Sequence, residues 1–89
     1  MDLKTINGRK TILKYGRGSL KTALSDAIRK GISLSGADLI GADLSWANLL
    51  WANLLWANLI GANLTDAHLE GANLQGVKLY RTILDAASF

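Results

Sequence analysis

Few side chains in this sequence are of the types that do chemistry. His68 is the only histidine among 89 residues, and cysteine is absent. Because imidazole and thiolate are common transition-metal ligands, this composition predicts no metal site, and we interpret His68 as an outward-facing surface residue. Asp38 and Asp43 belong to a longer run of Asp and Asn at five-residue spacing, which argues against an acid–base pair. Gly16 and Gly18 lack the following lysine of a phosphate-binding loop and are interpreted as a turn.

These residue types predict a protein that is not an enzyme. The sequence offers no catalytic constellation, so we expect no cofactor and no small-molecule substrate. The function must then lie in what the surface of the protein can bind. The elements that form this surface are encoded in the rest of the sequence.

The composition favours a cytoplasmic protein. No cysteine is present to form the disulfides that small secreted domains commonly use. The first 30 residues are rich in Lys and Arg and lack the apolar core of a secretory signal. Residues 46–60 form the most apolar stretch, but they are fewer than the roughly 20 residues of a spanning helix and include three asparagines. We therefore expect no transmembrane segment.

Charge divides the chain into two parts. Residues 1–31 contain eight Lys or Arg and two Asp, a balance of +6, whereas residues 32–89 contain two basic and five acidic residues, a balance of −3. A basic segment therefore precedes a mildly acidic one.

Leucine recurs at every fifth residue from Leu34 to Leu84, and Phe89 takes the next place. Alanine stands two residues before nine of these twelve centres, and Asp or Asn often lies between the two. A helix would turn each successive leucine by about 140°, and a strand would place successive leucines on opposite faces. If the chain instead turns a corner once per pentad, every leucine points inward and twenty residues complete one coil. The spacing therefore predicts a four-sided coil of about three turns over residues 32–89.

The repeat resembles the pentapeptide-repeat family. The tripeptides at 37–39, 42–44 and 47–49 read Ala-Asp-Leu, Ala-Asp-Leu and Ala-Asn-Leu, and the pattern covers about two thirds of the chain. The resemblance implies a right-handed quadrilateral β-helix, an all-β solenoid. It also brings in the family's best-known activity, the protection of DNA gyrase by long acidic coils that resemble a DNA duplex. This sequence departs from that pattern because its coil is short, only mildly acidic and preceded by a basic segment.

Residues 1–31 are expected to form an N-terminal cap on the coil. Residues 20–30 have an amphipathic helical pattern, with Ser19 as its N-cap and Gly31 at its end. Upstream, the Asn-Gly pair at 7–8 predicts a hairpin between arms at 3–6 and 10–15. Similar hairpin–helix caps precede the repeats in some phage and bacterial members of the family.

The outward residues in the middle of the chain are unusually apolar. Three tryptophans are placed by their spacing at three successive corners, and aliphatic residues lie beside them. We call this set the tryptophan belt: Trp46, Leu50, Trp51, Leu55, Trp56 and Ile60. So large an apolar patch exceeds what a soluble monomer normally exposes. A by-product of repeat duplication that the cap partly shields ranks slightly above an interface for self-association or for a partner, and attachment to a membrane surface ranks below both. The hypothesis put to the test is that the belt is a contact surface.

The last coil is expected to form a second contact surface. In family members that dimerise, the C-terminal ends meet, and an exposed strand edge invites pairing. We therefore predict a tail-to-tail homodimer through a C-terminal edge, which comprises Leu79, Tyr80, Ile83, Leu84 and Phe89.

Three functions remain open. The leading hypothesis is a non-enzymatic scaffold or protein-interaction module, and the alternative is a purely structural, self-associating solenoid. Binding of nucleic acid by the basic residues of 4–30, or of a topoisomerase such as DNA gyrase, ranks third because those charges are scattered and accompanied by a single aromatic residue.

Overall fold

The five-residue repeat coils into a β-helix solenoid. The computed structural model describes residues 1–16 and 19–89. Residues twenty apart form parallel bridges, so that Asp38 pairs with Asn58 and Asn58 with Lys78. Four pentads therefore complete each coil, and this column of bridges has three levels. The stacking follows the column arrangement that the sequence predicted.

A tight turn forms each corner of the coil. In the turn at 54–57, the N–H of Ala57 donates to the carbonyl of Leu54 at 2.9 Å. The N–H of Leu55 donates to the side-chain oxygen of Asn53 at 3.2 Å, as Asx residues do in turns. Trp56 has a φ of +60°, which places it in the position that favours glycine in a type II turn. The outward Asp and Asn of the repeat thus stabilise its corners.

The inward leucines and alanines form one continuous core. The centres from Leu34 to Leu69 are at most 2% exposed, and the alanines beside them fill the space near the corners. Burial ends in the last coil, where Leu79 is 43% exposed. The core is therefore closed at its N-terminal end and open to solvent along the last coil.

A hairpin and a helix precede the coil. Strands β1 (Asp2–Lys4) and β2 (Thr11–Lys14) pair antiparallel, with Leu3 opposite Leu13 and an irregularity between Leu3 and Lys4. Both arms are shorter than the sequence predicted, because the chain already turns at Thr5, where its N–H bonds the carbonyl of Lys10. The predicted turn residue Gly8 has a φ of +71°.

Helix α1 (Leu20–Arg29) begins and ends within one residue of the prediction. The hydroxyl of Ser19 accepts the N–H of Lys21, and Lys30 is the C-cap, followed by Gly31 with a φ of +76°. Of the predicted apolar stripe, Leu24 and Ala27 are buried. The predicted turn at 16–18 falls in part on Gly18, outside the described residues.

Hairpin and helix close the first coil. The N–H of Asp38 donates to the carbonyl of Lys4 at 2.8 Å, and Thr5 forms an antiparallel bridge with Ala37. Leu3 and Leu24 belong to the same buried cluster as the coil leucines. The exposed backbone edge that would otherwise invite pairing is thus covered here by the chain's own strand.

Candidate interaction surface

The indole rings of the tryptophan belt are exposed. Trp46, Trp51 and Trp56 are 71%, 77% and 59% exposed, whereas Leu50, Leu55 and Ile60 are half-buried beneath them. The cap therefore does not shield the rings. Shielding was part of the by-product interpretation, which loses that support.

All three tryptophans occupy a backbone conformation that suits glycine. Their φ angles are between +60° and +65°, and glycine holds the same corner position elsewhere, as at Gly41 and Gly61. For an L-residue, this left-handed conformation costs roughly 1–2 kcal/mol. Asp66, Arg81 and Ala86 hold the same corner position with φ near +58°, so side chains are accepted there, and tryptophan is the largest of them.

Two of the indoles lie against glycines of the next coil. A Cβ atom built on Gly71 would lie 2.1 Å from Cε3 of Trp51, and one built on Gly76 would lie 2.3 Å from Cε3 of Trp56. The rings therefore occupy the space that side chains at those corners would take. One side of each ring contacts the backbone of the glycine in the next coil, and much of the rest of the ring is exposed to solvent. In the column of Trp46, the residue twenty further on is Asp66, which is not a glycine.

The cap creates a groove that sequence reasoning missed. A hollow of about 290 Å³ lies between α1 and the coil, lined by Ser25, Ile28 and Arg29 on the helix and by Asn48, Leu50 and Trp51 on the coil. The adjoining hollows are lined by residues including Lys21 and Trp46 at one end and Gly31 and Asn53 at the other. The groove therefore brings two of the predicted indoles and Leu50 together with the helix. Leu55, Trp56 and Ile60 do not line it.

Charged groups hold the helix side of this groove in place. Lys21 Nζ donates to the carbonyl of Ser45 at 3.0 Å, and Arg29 pairs with Asp26 on the helix. Nearby, the hydroxyl and the backbone N–H of Ser45 donate to Asp43, and together they lower the pKa of that carboxyl. Ser45 therefore links the first coil to the cap through the Lys21 ammonium.

The predicted C-terminal edge is largely exposed. Tyr80 is 67% and Phe89 is 63% exposed; Ile83 is also exposed, and Leu84 is half-buried. The Arg81 guanidinium lies 5.3 Å from the centroid of the Tyr80 ring.

The backbone of this edge has free donors. Within the part of the chain that the structure describes, the N–H groups of Leu79 and Leu84 have no backbone acceptor, whereas Leu59 and Leu64 each donate to the following coil. The edge thus carries both apolar side chains and free backbone donors, which is what strand pairing uses.

His68 contacts two polar residues on an outer side of the coil. Its Nδ1 lies 3.2 Å from the hydroxyl of Ser88, and that hydroxyl donates to Glu70 at 2.8 Å. The bond from Ser88 also lowers the pKa of Glu70. In a catalytic triad the serine would donate to the histidine, and the acid would orient the ring, which is not the arrangement here. All three residues carry exposed or half-buried surface, so they form a surface network.

The described residues include neither a cluster of metal ligands nor a membrane-spanning helix. Among the described residues, no three His, Cys, Asp or Glu side chains are grouped as a metal site would need. Within the same part of the chain, no helix has the length and apolarity required to cross a membrane.

Known proteins place these features in a family. The family model described as Pentapeptide repeats (8 copies) matches residues 21–54 and 52–89. A crystal structure of a pentapeptide repeat protein from the cyanobacterium Cyanothece 51142 is similar, with 52% sequence identity and a TM-score of 0.62 over 63% of this chain. The match spans 38% of that longer chain. No curated protein matches. The family model covers most of the sequence, and its repeat is the one that forms the coil: the chain belongs to the pentapeptide-repeat family.

Proposed function

We propose that this protein is a non-enzymatic, cytoplasmic interaction module that contacts another protein through the tryptophan belt. Its body would be a right-handed quadrilateral β-helix of about three coils over residues 32–89, with residues 1–31 as the cap. Pentapeptide-repeat proteins are generally non-enzymatic structural scaffolds, which agrees with this role. One observation carries the proposal: three exposed tryptophans stand at corners whose φ angles suit glycine.

The positive φ at these corners belongs to the turn of the repeat, because Asp66, Arg81 and Ala86 have it as well. What sets the three tryptophans apart is a large, exposed indole ring at such a corner. Tryptophan is also among the residues that contribute most to the binding energy of protein interfaces. Because Trp51 and Trp56 already rest on Gly71 and Gly76, ordering them on binding would cost little further entropy.

The arrangement of the belt favours a protein partner over a membrane. An interfacial membrane anchor presents its apolar side chains on one face. The three tryptophans instead occupy three successive corners of a four-sided coil, and these corners point in different directions. A flat bilayer would reach only part of the belt, whereas a protein surface can follow a corner.

Sedimentation velocity and affinity capture test this proposal together. The belt variant Trp46→Gly/Trp51→Gly/Trp56→Gly removes the rings and relieves the corner strain, and Ile40→Ser is a control at an exposed aliphatic residue outside the belt. We expect the belt variant to lose a captured partner that the wild type and the control retain, whereas a homo-oligomer without a captured partner would favour the self-associating solenoid. Unchanged mass and unchanged partner recovery in the belt variant would overturn the proposal.

Self-association through the C-terminal edge is a second candidate. It is favoured by the exposed core residue Leu79 and by the free N–H groups of Leu79 and Leu84. A tail-to-tail homodimer would cover these groups. Replacing Leu79, Ile83 and Phe89 with serine should then abolish a concentration-dependent dimer, whereas a wild-type mass that stays monomeric at every concentration would refute the dimer.

A further inference from the structure

We infer that the groove between α1 and the coil binds an acidic amphipathic helix of a partner protein. This inference rests on the proposed function, because the belt residues Leu50 and Trp51 form one wall of the groove. Beyond the proposed function, the inference specifies which part of the belt is the centre of the binding site and what kind of partner binds there.

The groove runs alongside α1. From the first turn of the helix to its end, the hollows are lined in succession by Lys21 with Trp46, by Ser25 and Ile28 with Trp51, and by Gly31 with Asn53. A ten-residue helix is about 15 Å long, so the groove matches three turns of a second helix lying beside the first. Helices packed side by side lie about 8–10 Å apart, and Ser25 is a small residue near the middle of that wall.

The middle of the groove is mainly apolar. Ile28 faces the hollow from the helix, and Leu50 and Trp51 face it from the coil, around a volume of about 290 Å³. Ligand pockets have volumes of about 300–1,000 Å³, so this hollow suits one or two apolar side chains and would not enclose a large ligand. Helix-in-groove recognition uses such anchors at i, i+3, i+4 and i+7.

Charge selects an acidic partner. Residues 1–31 carry eight basic and two acidic residues, a balance of +6. Lys21 and Arg29 line the groove, Lys30 lies on the other side of α1, and Asp26 is paired with Arg29. Carboxylates of a partner helix would meet the ammonium of Lys21 and the guanidinium of Arg29 at the groove, and such charge complementarity steers association and disfavours basic partners.

The wall of the groove is preorganised. The ring of Trp51 already occupies the corner space beside Gly71, and Lys21 is bonded to the carbonyl of Ser45. A partner helix would therefore meet an indole and an ammonium group that are already positioned, and less entropy would be lost on binding.

Peptide binding to the full-length protein tests the inference. The probes are two sets of labelled helical peptides of about 14 residues, long enough to span the groove at 1.5 Å per residue. Both sets carry Leu or Phe at i, i+3, i+4 and i+7, and the remaining positions are mainly Glu in one set and mainly Lys in the other. Fluorescence anisotropy measures affinity at low and high salt.

A matched pair of variants locates the site. Trp51→Gly and Trp56→Gly each relieve one strained corner and remove one ring from a glycine of the next coil, but only Trp51 lines the groove. Ser25→Gln fills the groove from the helix and leaves both indoles in place. Thermal melting controls for folding.

We expect peptides of the Glu set to bind and their Lys counterparts not to bind. Trp51→Gly and Ser25→Gln should weaken binding at least about tenfold, as loss of an interface anchor does, and Trp56→Gly should change it less than about twofold. Anionic phosphatidylglycerol vesicles are a third probe, which represents a membrane surface. Failure of the whole Glu set, equal binding of the Lys set, equal loss in Trp56→Gly, or binding to the vesicles alone would overturn the inference. If the groove variants bind a partner as the wild type does but the triple belt variant does not, the interaction function survives and only the groove is wrong.

Discussion

The corner residue of each pentad can have two roles in this protein. It must accept a positive φ, and at Trp51 and Trp56 its side chain also lies against the corner of the next coil. Trp51 and Trp56 meet both conditions because the residues twenty further on are Gly71 and Gly76. A ring of that size could not lie there against a residue with a Cβ atom.

The first prediction concerns these glycines. Gly71→Ala and Gly41→Ala both place alanine at a positive φ, at a cost of roughly 1–2 kcal/mol in unfolding free energy. A Cβ atom at Gly41 meets nothing within 4 Å, whereas one at Gly71 would overlap the ring of Trp51. We therefore expect Gly71→Ala to destabilise the protein by about 1–3 kcal/mol more, as overpacking does, measured by urea denaturation.

Removing the ring provides the control. In a Trp51→Gly background, Gly71→Ala should cost no more than Gly41→Ala, because nothing then occupies the corner. An equal loss for the two alanine variants in the wild-type background would show that the indole does not lie on Gly71.

A second residue-scale prediction concerns pH. The pKa of Asp43 is lowered from its ordinary value of 3.8 because the hydroxyl and the N–H of Ser45 donate to the carboxylate. A carboxyl whose pKa is lower in the folded than in the unfolded state contributes stability above the unfolded pKa and loses it as pH falls through the folded one. Asp43→Asn keeps the acceptor for the N–H, as Asn48 shows at the next corner, but cannot titrate.

We therefore expect the unfolding free energy of the wild type to fall more steeply than that of Asp43→Asn as the pH drops through 3.8 and below. Chemical denaturation at several acidic pH values measures both slopes. Parallel slopes would mean that the bonds from Ser45 do not favour the ionised carboxylate in solution.

At the scale of the elements, inward leucines stabilise the coil, and how deeply each is buried depends on which coil of the solenoid it belongs to. Leu54, in the middle, is 0% exposed, and Leu79, in the last coil, is 43% exposed. Truncating a fully buried leucine to alanine costs about 2–5 kcal/mol, because transfer energy is lost and a cavity remains. At protein concentrations where the chain is monomeric, Leu54→Ala should lower the unfolding free energy by an amount in this range. Leu79→Ala should lower it by clearly less, and urea denaturation measures both losses.

Equal losses for the two leucine variants in the monomer would contradict the open last coil. A loss for Leu79→Ala that grows with protein concentration would instead report the tail-to-tail dimer, because dissociation then accompanies unfolding.

Most of the individual elements can be predicted from the sequence. Leucine every fifth residue predicts the coil, Ser19 and Gly31 bracket α1, and the Asn-Gly pair predicts the hairpin turn. The contact of Trp51 with Gly71 could also have been predicted from the sequence, because residues twenty apart share a column. The sign of it is a tryptophan at the position where neighbouring pentads have glycine.

The groove could not be predicted in the same way. Its shape depends on where α1 lies across the first coil, which is set by long-range contacts such as Leu24 in the coil core and Lys21 on the carbonyl of Ser45. No local spacing encodes these contacts. The hairpin arms are also shorter than predicted, because the chain turns at Thr5, which forms a bridge with Ala37 of the coil in addition to its bond with Lys10.

At the scale of the whole molecule, the two ends and the middle differ. The hairpin and α1 cover the first coil, the last coil is open, and the exposed indoles lie between them on a body about 30 × 23 × 22 Å in extent. On so small a body, three exposed tryptophans are a large share of the apolar surface, since each can contribute about 150–250 Å² when buried. A surface of this kind favours contact with another protein.

Acrylamide quenching of tryptophan fluorescence tests most directly whether this surface is available. Three variants, each with two of the tryptophans replaced by glycine, would report on one indole at a time in dilute protein. The exposed fractions of 71%, 77% and 59% for Trp46, Trp51 and Trp56 predict efficient quenching of all three, with Trp56 quenched least. Protection of any of them to the level of a buried indole in the monomer would contradict an open belt.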